Sequence, residues 1–235
     1  MGSFDFVTFF FFAVAIIVFM QLRGVLGKRT GHEKPRNERP EALHRDDTRA
    51  DHDADSNVVT LPQRDNKRDD SKKYAAIDDY ADIGSDLNKG LRAIFDKDPQ
   101  FTPKQFVEGA RMAYDMIVTS FADGNRKELK NLLSRDVYES YATAINERES
   151  RGEVVKFNFV GVEKANIVQA EVQNRVANVT VRLVSQIISA TFNKDGEIIE
   201  GDEEDIAEVI DVWTFSRDLK SRDPNWRLVA SEPDA

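Results

Sequence analysis

The sequence predicts an α+β domain with helices on one face of an antiparallel sheet, preceded by one transmembrane helix and a charged linker. Three patterns predict this organisation. Residues 6–22 are almost entirely apolar, residues 28–73 contain only seven hydrophobic residues, and residues 83–235 show helical periodicity first and strand patterns afterwards. Helices that precede a run of strands favour an antiparallel sheet over a parallel βαβ fold.

The composition excludes several classes of site. Cysteine is absent and the three histidines lie between residues 32 and 52, so the domain has no thiolate chemistry and no histidine-based triad or metal site. Forty-two acidic and 33 basic residues give a net charge of −9, which disfavours broad attraction to nucleic acid. We predict no metal ion, no cofactor and no nucleic-acid partner.

Residues 1–22 are predicted to form a membrane anchor. As a helix, the apolar run 6–22 would rise about 26 Å, close to the roughly 30 Å hydrocarbon core of a bilayer. The residues before the apolar run include the acidic Asp5 and no cation. A cleaved secretory signal, which is the alternative interpretation, would start with a positively charged segment. Cations follow the run from Arg23 onward, so the positive-inside rule places the N-terminus outside and the domain in the cytoplasm.

Residues 23–82 are predicted to be a disordered charged linker, since few apolar side chains are available to offset the entropy of ordering. A basic cluster at its start is expected to contact anionic lipid headgroups. Its members are Arg23, Lys28, Arg29, Lys34 and Arg36. The alternative interpretation is that these cations only set the topology of the anchor.

Four helices are predicted from their capping residues. Thr102 precedes Pro103 and is followed three positions later by Gln105, which gives a capping box with proline at the first helical position. Similar starts occur at Ser85, Asn125 and Ser134. The predicted helices cover about residues 86–98, 103–122, 126–133 and 135–150.

The β-rich half contains five alternating or apolar runs, at residues 154–162, 166–173, 176–192, 206–217 and 225–230. These runs are expected to form the antiparallel sheet. The acidic residues 200–205 lack the ligand spacing of a calcium loop, so they are predicted to be a solvated connection between strands.

Two stretches carry a resemblance to a known family, the helical run 101–152 and residues 211–230. The residues that carry it are Phe106, Gly109, Ala110, Ala113, Tyr114, Ile117, Val118, Phe121, Ala122, Gly124, Leu129, Leu132, Leu133, Val137, Tyr138, Ile145, Arg148, Trp213, Thr214, Phe215, Arg217, Pro224, Asn225 and Trp226. Over residues 83–231 the chain resembles the Tim44-like domain family, and its layout is similar to the bacterial TimA-type members.

The resemblance implies a cystatin-like cone of the nuclear-transport-factor-two type, in which helices pack against a curved sheet. It also implies an adaptor at the inner face of an energised membrane, here the bacterial inner membrane. Such an adaptor binds anionic, cardiolipin-rich lipid and a chaperone or translocation component. This chain departs from the mitochondrial members because it has an apolar span and lacks their long charged chaperone-binding segment.

A groove is expected where small and aromatic residues recur. Gly109 lies mid-helix beside Ala110, which predicts a close approach of the sheet or another helix, or a slot for a lipid tail or partner peptide. The candidate groove residues are Phe106, Gly109, Ala110, Tyr114, Ile117, Phe121, Trp213, Phe215 and Trp226. Core packing of the aromatic residues is the alternative interpretation.

Asp211 is the one candidate for acid–base chemistry. If it faces the interior with Trp213 and Phe215, burial raises its pKa and lets it act as a general base. If the face that bears Val212 is buried instead, Asp211 lies outside, where it can pair with Arg182.

The expected function is a non-enzymatic, membrane-anchored adaptor that binds lipid and protein partners and is linked to protein translocation or membrane-protein biogenesis. No catalytic residue is assigned. The alternatives are an enzyme or small apolar ligand receptor that uses Asp211, and a ribosome-docking protein. Residues 88–235 carry 20 basic and 26 acidic residues, which argues against ribosome docking.

Overall fold

The structure, a computed structural model, describes residues 73–234. The predicted anchor at residues 1–22, the basic cluster from Arg23 to Arg36 and the linker up to residue 72 lie outside the described residues. Within residues 73–234, no helix combines the length and the apolar character that a membrane span requires.

In the described part of the chain, five helices precede four strands. The helices are α1 (Ala75–Asp78), α2 (Asp86–Lys97), α3 (Pro103–Ala122), α4 (Arg126–Leu132) and α5 (Arg135–Ser150). The side chains of Ser85, Thr102, Asn125 and Ser134 each accept a hydrogen bond from the backbone N–H three residues later. All four predicted helix starts are confirmed, because capping depends on local sequence.

Helix α1 lies before the predicted domain boundary at residue 83. Ile77 is 1% exposed, and Ala81 is also buried in the core. Residues 73–82 therefore belong to the folded domain, and the predicted linker is too long by these ten residues. The physical reason is that Tyr74, Ile77 and Ala81 recur at helical spacing and pack one face against the core.

The strands are β1 (Val154–Gln173), β2 (Val176–Phe192), β3 (Ile198–Asp218) and β4 (Arg227–Pro233). They lie in the order β1-β2-β3-β4, and every neighbouring pair is antiparallel. The predicted α+β fold with an antiparallel sheet is confirmed. The predicted runs 154–162 and 166–173 form one strand, because register shifts after Phe159, Val162 and Ile167 leave β1 continuous.

The acidic segment 200–205 is part of β3. Residues on both sides of 203–206 pair with β2, so these four residues form a bulge. The carboxylate of Asp202 accepts hydrogen bonds from the backbone N–H groups of Glu204 and Asp205, at 2.7 and 3.1 Å. The segment is therefore a bulge within β3 and not a connection between strands, and residues 201–205 are exposed to solvent, as predicted.

The core lies between the helices and one face of the sheet. Alternate residues of β2, including Val179, Val181 and Leu183, are fully buried on that face. Helices α2 and α3 pack against β1. Trp213 of β3 is fully buried, and its ring lies 4.5 Å from the ring of Tyr114 in α3. The helical layer and the sheet therefore share one core.

Side chains from the helical layer bond to backbone groups of β1, which forms an edge of the sheet. Arg111 donates to the carbonyl oxygen of Val162 at 2.6 Å and to that of Glu163 at 3.4 Å. The hydroxyl of Tyr80 accepts a hydrogen bond from the N–H of Ile167 at 2.7 Å. These bonds satisfy polar backbone groups that have no neighbouring strand on that side.

Of the two glycines inside the described helices, Gly90 makes the closer approach to the sheet, and it is not among the predicted site residues. A Cβ atom at Gly90 would overlap the carbonyl oxygen of Ala170 in β1. At Gly109 an added Cβ would meet nothing within 4 Å. The predicted close approach at Gly109 is therefore wrong, because that side of α3 faces open space.

We expect Gly90→Ala to lower the free energy of unfolding by about 2 kcal/mol, because the methyl group must push α2 away from β1. Gly109→Ala is the matched control, and it should raise the free energy of unfolding by about 1 kcal/mol through helix propensity. Urea denaturation of both variants measures the two changes. Equal changes in the two variants would contradict the close contact at Gly90.

Candidate functional site

Most of the predicted groove residues lie in the core. Six of the nine are at most 8% exposed, and they are Phe106, Ala110, Tyr114, Ile117, Trp213 and Phe215. Gly109, Phe121 and Trp226 are partly exposed. Phe106 joins the two layers, since its ring lies 4.9 Å from that of Trp226 and 6.1 Å from that of Phe215. These contacts are core packing, and a ligand groove among these residues stays a prediction.

Asp211 faces the interior, on the same face of β3 as Trp213 and Phe215. It is 1% exposed, and its Oδ2 accepts a hydrogen bond of 2.6 Å from the hydroxyl of Tyr114. The same hydroxyl lies 2.9 Å from the Oγ of Ser185 in β2. The first of the two orientations considered for Asp211 is thus the observed one.

Arg182 lies on the opposite face of the sheet and does not meet Asp211. Its Nε donates to the Oδ2 of Asp234 at 2.7 Å. The alternative pairing of Arg182 with Asp211 is therefore wrong. Alternation along a strand places neighbouring residues on opposite faces, and the helices cover the face that bears Asp211.

The electrostatics of the buried cluster follow from its isolation from water. Burial raises the pKa of Asp211 from an ordinary 3.8 to about 6, and the hydrogen bond from Tyr114 opposes this shift. Burial, followed by the charge of Asp211, raises the pKa of Tyr114 far above its usual range. At neutral pH the carboxylate is therefore ionised inside the core and is stabilised by the O–H of Tyr114.

The cluster has the groups for proton transfer, because a carboxylate with a pKa near 6 can act as a base at neutral pH. It is enclosed by the aromatic residues of the core, and the indole Nε1 of Trp213 has no hydrogen-bond partner among the described residues. No group of His, Cys, Asp and Glu side chains within residues 73–234 is arranged to hold a metal ion. Through its hydrogen bond to Asp211, Tyr114 connects α3 to β3.

A groove of about 510 Å³ lies on the surface between α1 and the start of α3. Its lining residues are Ala76, Asp79, Tyr80, Thr102, Lys104, Val107 and Glu108. Tyr80 and Val107 pack against the core and are only partly buried. This groove is not among the predicted site residues, because its α1 side lies in the predicted linker. The helical spacing of Tyr74, Ile77 and Ala81 is the pattern that could have located it.

Two exposed methionines lie further along α3. Met112 is 64% exposed and Met116 is 42% exposed, one helical turn apart. Exposed methionines are unbranched and polarisable, and they are frequent at surfaces that adapt to different partners. This face of α3 is a candidate contact surface, and it was not among the predicted site residues.

Comparison with known proteins identifies the domain. The family model for the Tim44-like domain matches residues 87–233, which is more than half of the chain. The chain belongs to the Tim44-like domain family. This confirms the resemblance found in the helical run and in the segment around Trp213.

Two solved structures are similar to this Tim44-like protein at low identity. One is the intermembrane space region of the chloroplast protein ARC6, with 12% identity, a TM-score of 0.38, and coverage of 54% of this chain and 95% of that chain. The other is a de novo designed β-sheet protein, with 18% identity, a TM-score of 0.27, and coverage of 56% and 90%. No curated protein matches the sequence.

The raised pKa of Asp211 predicts a specific dependence of stability on pH. The folded state favours the protonated carboxyl. Ionisation of Asp211 therefore lowers the free energy of unfolding, fully so above about pH 6, and this destabilisation disappears below pH 3.8. The change corresponds to about 3 kcal/mol. In Asp211→Asn, the free energy of unfolding relative to the wild type should rise by about this amount between pH 4 and pH 7.

Chemical denaturation of the two proteins at several pH values measures this difference. Asp86→Asn is the matched control, because Asp86 is an exposed carboxyl whose pKa is lowered by Lys89. The free energy of unfolding of Asp86→Asn relative to the wild type should fall as the pH rises, which is opposite to the change for Asp211→Asn. A difference for Asp211→Asn that stays constant from pH 4 to pH 7 would show that this carboxyl is not desolvated.

Proposed function

We propose that this Tim44-like protein is a non-enzymatic, membrane-anchored adaptor that binds lipid and protein partners at the inner face of the bacterial inner membrane. The observation that carries this proposal is the contrast between interior and surface. Tyr114, Trp213 and Phe215 fill the interior and enclose Asp211, whereas α3 leaves Met112 and Met116 exposed. A domain built in this way supports binding at its surface better than chemistry in its interior.

The membrane association rests on the sequence and on the family. The apolar run 6–22 supports a single span, and the cations from Arg23 to Arg36 support a cytoplasmic domain in contact with anionic lipid. Family membership supports a role in protein translocation or membrane-protein biogenesis, with a chaperone or translocation component as partner. It also supports the cystatin-like cone as the fold of the domain.

A tether to the bilayer strengthens weak surface contacts. The linker confines the domain near the membrane, so a partner in the same membrane meets it at an effective concentration that can reach the millimolar range. Contacts that would be too weak for a free protein in dilute solution then suffice.

We expect a variant that lacks residues 1–22 to leave the membrane fraction, because the remaining sequence has no comparable apolar run. Cell fractionation with immunodetection measures this change. The full chain should resist protease added outside intact spheroplasts and be digested after lysis. Retention of the shortened protein in membranes, or digestion of the domain in intact spheroplasts, would overturn the anchor or its topology.

We expect a photo-crosslinking residue at Met112 or Met116 to capture a protein partner in cells, because these side chains present exposed apolar surface on α3. The same residue at Glu139, on the exposed side of α5, is the matched control. Mass spectrometry of the adducts identifies the partner. Equal adducts at Met112, Met116 and Glu139 would contradict a specific contact surface on α3.

An enzyme or a receptor for a small apolar ligand is the second candidate function. The raised pKa of Asp211 and its hydrogen bond to Tyr114 favour it. Loss of cellular function in Asp211→Asn, at normal protein abundance, would support this alternative. Unchanged function at normal abundance would count against catalysis and favour the adaptor.

A further inference from the structure

The groove between α1 and α3 exposes apolar surface. Tyr80 and Val107 line it and are only partly buried. Ile83, in the connection that follows Tyr80, is 74% exposed, the highest value for a large apolar side chain within residues 73–234. Partly buried apolar side chains that line a surface groove offer apolar area that another segment can cover.

The chain itself supplies a segment of matching character. Residues 28–72 contain seven hydrophobic residues, and three of them, Val58, Val59 and Leu61, lie within four positions. This run precedes the described residues. Two of the three are β-branched, and Pro62 follows, so the run suits an extended peptide better than a helix.

The run is near the groove along the chain. Leu61 lies 15 residues before Ala76, the first residue that lines the groove. An extended chain of that length reaches about 50 Å, so the connection imposes no geometric limit on contact. Because the two parts belong to one molecule, the effective concentration of the run at the groove is on the order of 1 mM.

The charges next to the run are mixed. The groove carries two carboxylates, Asp79 and Glu108, and one cation, Lys104. The run itself is uncharged, and residues 62–68 directly after it carry three cations and one carboxylate. An extended segment that places its apolar side chains against Tyr80 and Val107 would bring residues 62–68 to the net acidic lining. Further carboxylates lie outside this stretch, at residues 51, 53, 55, 69 and 70.

We propose that the groove between α1 and α3 binds residues 58–61 of the same chain. Binding there shortens the free linker after Leu22 from 50 residues, 23–72, to 35 residues, 23–57. It thereby draws the domain closer to the membrane, and a partner that competes for the groove releases the longer linker. The contact between the run and the groove concerns two parts of one chain and does not rest on the proposed function, whereas its effect on the distance to the membrane rests on the proposed anchor.

The absence of cysteine makes a direct test possible. Leu61→Cys combined with Lys104→Cys places one thiol in the run and one at the groove of the full chain, reconstituted in phosphatidylcholine vesicles. The matched control combines Leu61→Cys with Asp115→Cys, which lies on the same helix about 16 Å further along. Lys104 and Asp115 are both exposed, so neither substitution disturbs the core.

Under mild oxidation we expect the intramolecular disulfide to form at least tenfold faster in the Lys104→Cys pair than in the Asp115→Cys pair. Adding Val58→Asp and Val59→Asp to the first pair should reduce its rate to that of the control. Non-reducing gels and peptide mass spectrometry follow the reaction.

Equal rates in the two pairs would overturn the proposal. A faster first pair that Val58→Asp and Val59→Asp leave unchanged would also overturn it, because the apolar run would then not direct the contact. Disulfide-linked dimers in place of the intramolecular product would show that a second copy occupies the groove. None of these outcomes depends on removing residues 1–22, so failure here is distinguishable from failure of the membrane-anchor proposal.

Discussion

Tyr114 is the contact on which the arrangement of helices and sheet depends. Its ring packs 4.5 Å from that of Trp213, and its hydroxyl donates to Asp211 and lies beside Ser185. One side chain of α3 therefore provides apolar packing against β3 and also stabilises a buried charge. An ionised carboxylate in a core is costly unless a donor reaches it, so the position of α3 along the sheet is fixed within hydrogen-bond distance.

Features that depend on local sequence could be predicted from the sequence. The four helix starts at Ser85, Thr102, Asn125 and Ser134 follow from side chains that bond to N–H groups three residues away. The α+β class follows from the order of helical and strand patterns. The continuity of β1 could not be predicted, because a bulge and a turn both interrupt alternation in the sequence.

The candidate site was harder to predict, because it depends on contacts between distant segments. The orientation of Asp211 required knowing which face of β3 the helices cover. Gly109 and Gly90 both lie inside helices, and only the packing of α2 against Ala170 shows which glycine has no room for a side chain. The surface groove combines residues from α1 and α3 that lie more than twenty positions apart. Periodicity within one segment cannot locate such a surface.

Arg111 and Tyr80 also determine how the domain behaves when many copies are crowded together. An open edge strand can pair with a strand from another molecule, and repeated pairing of this kind builds fibrils. The carbonyl groups of Val162 and Glu163 and the amide of Ile167 are already bonded within the domain. An incoming strand therefore cannot form a continuous ladder along the twenty residues of β1, and the protein keeps a long edge strand without offering an uninterrupted template for polymerisation.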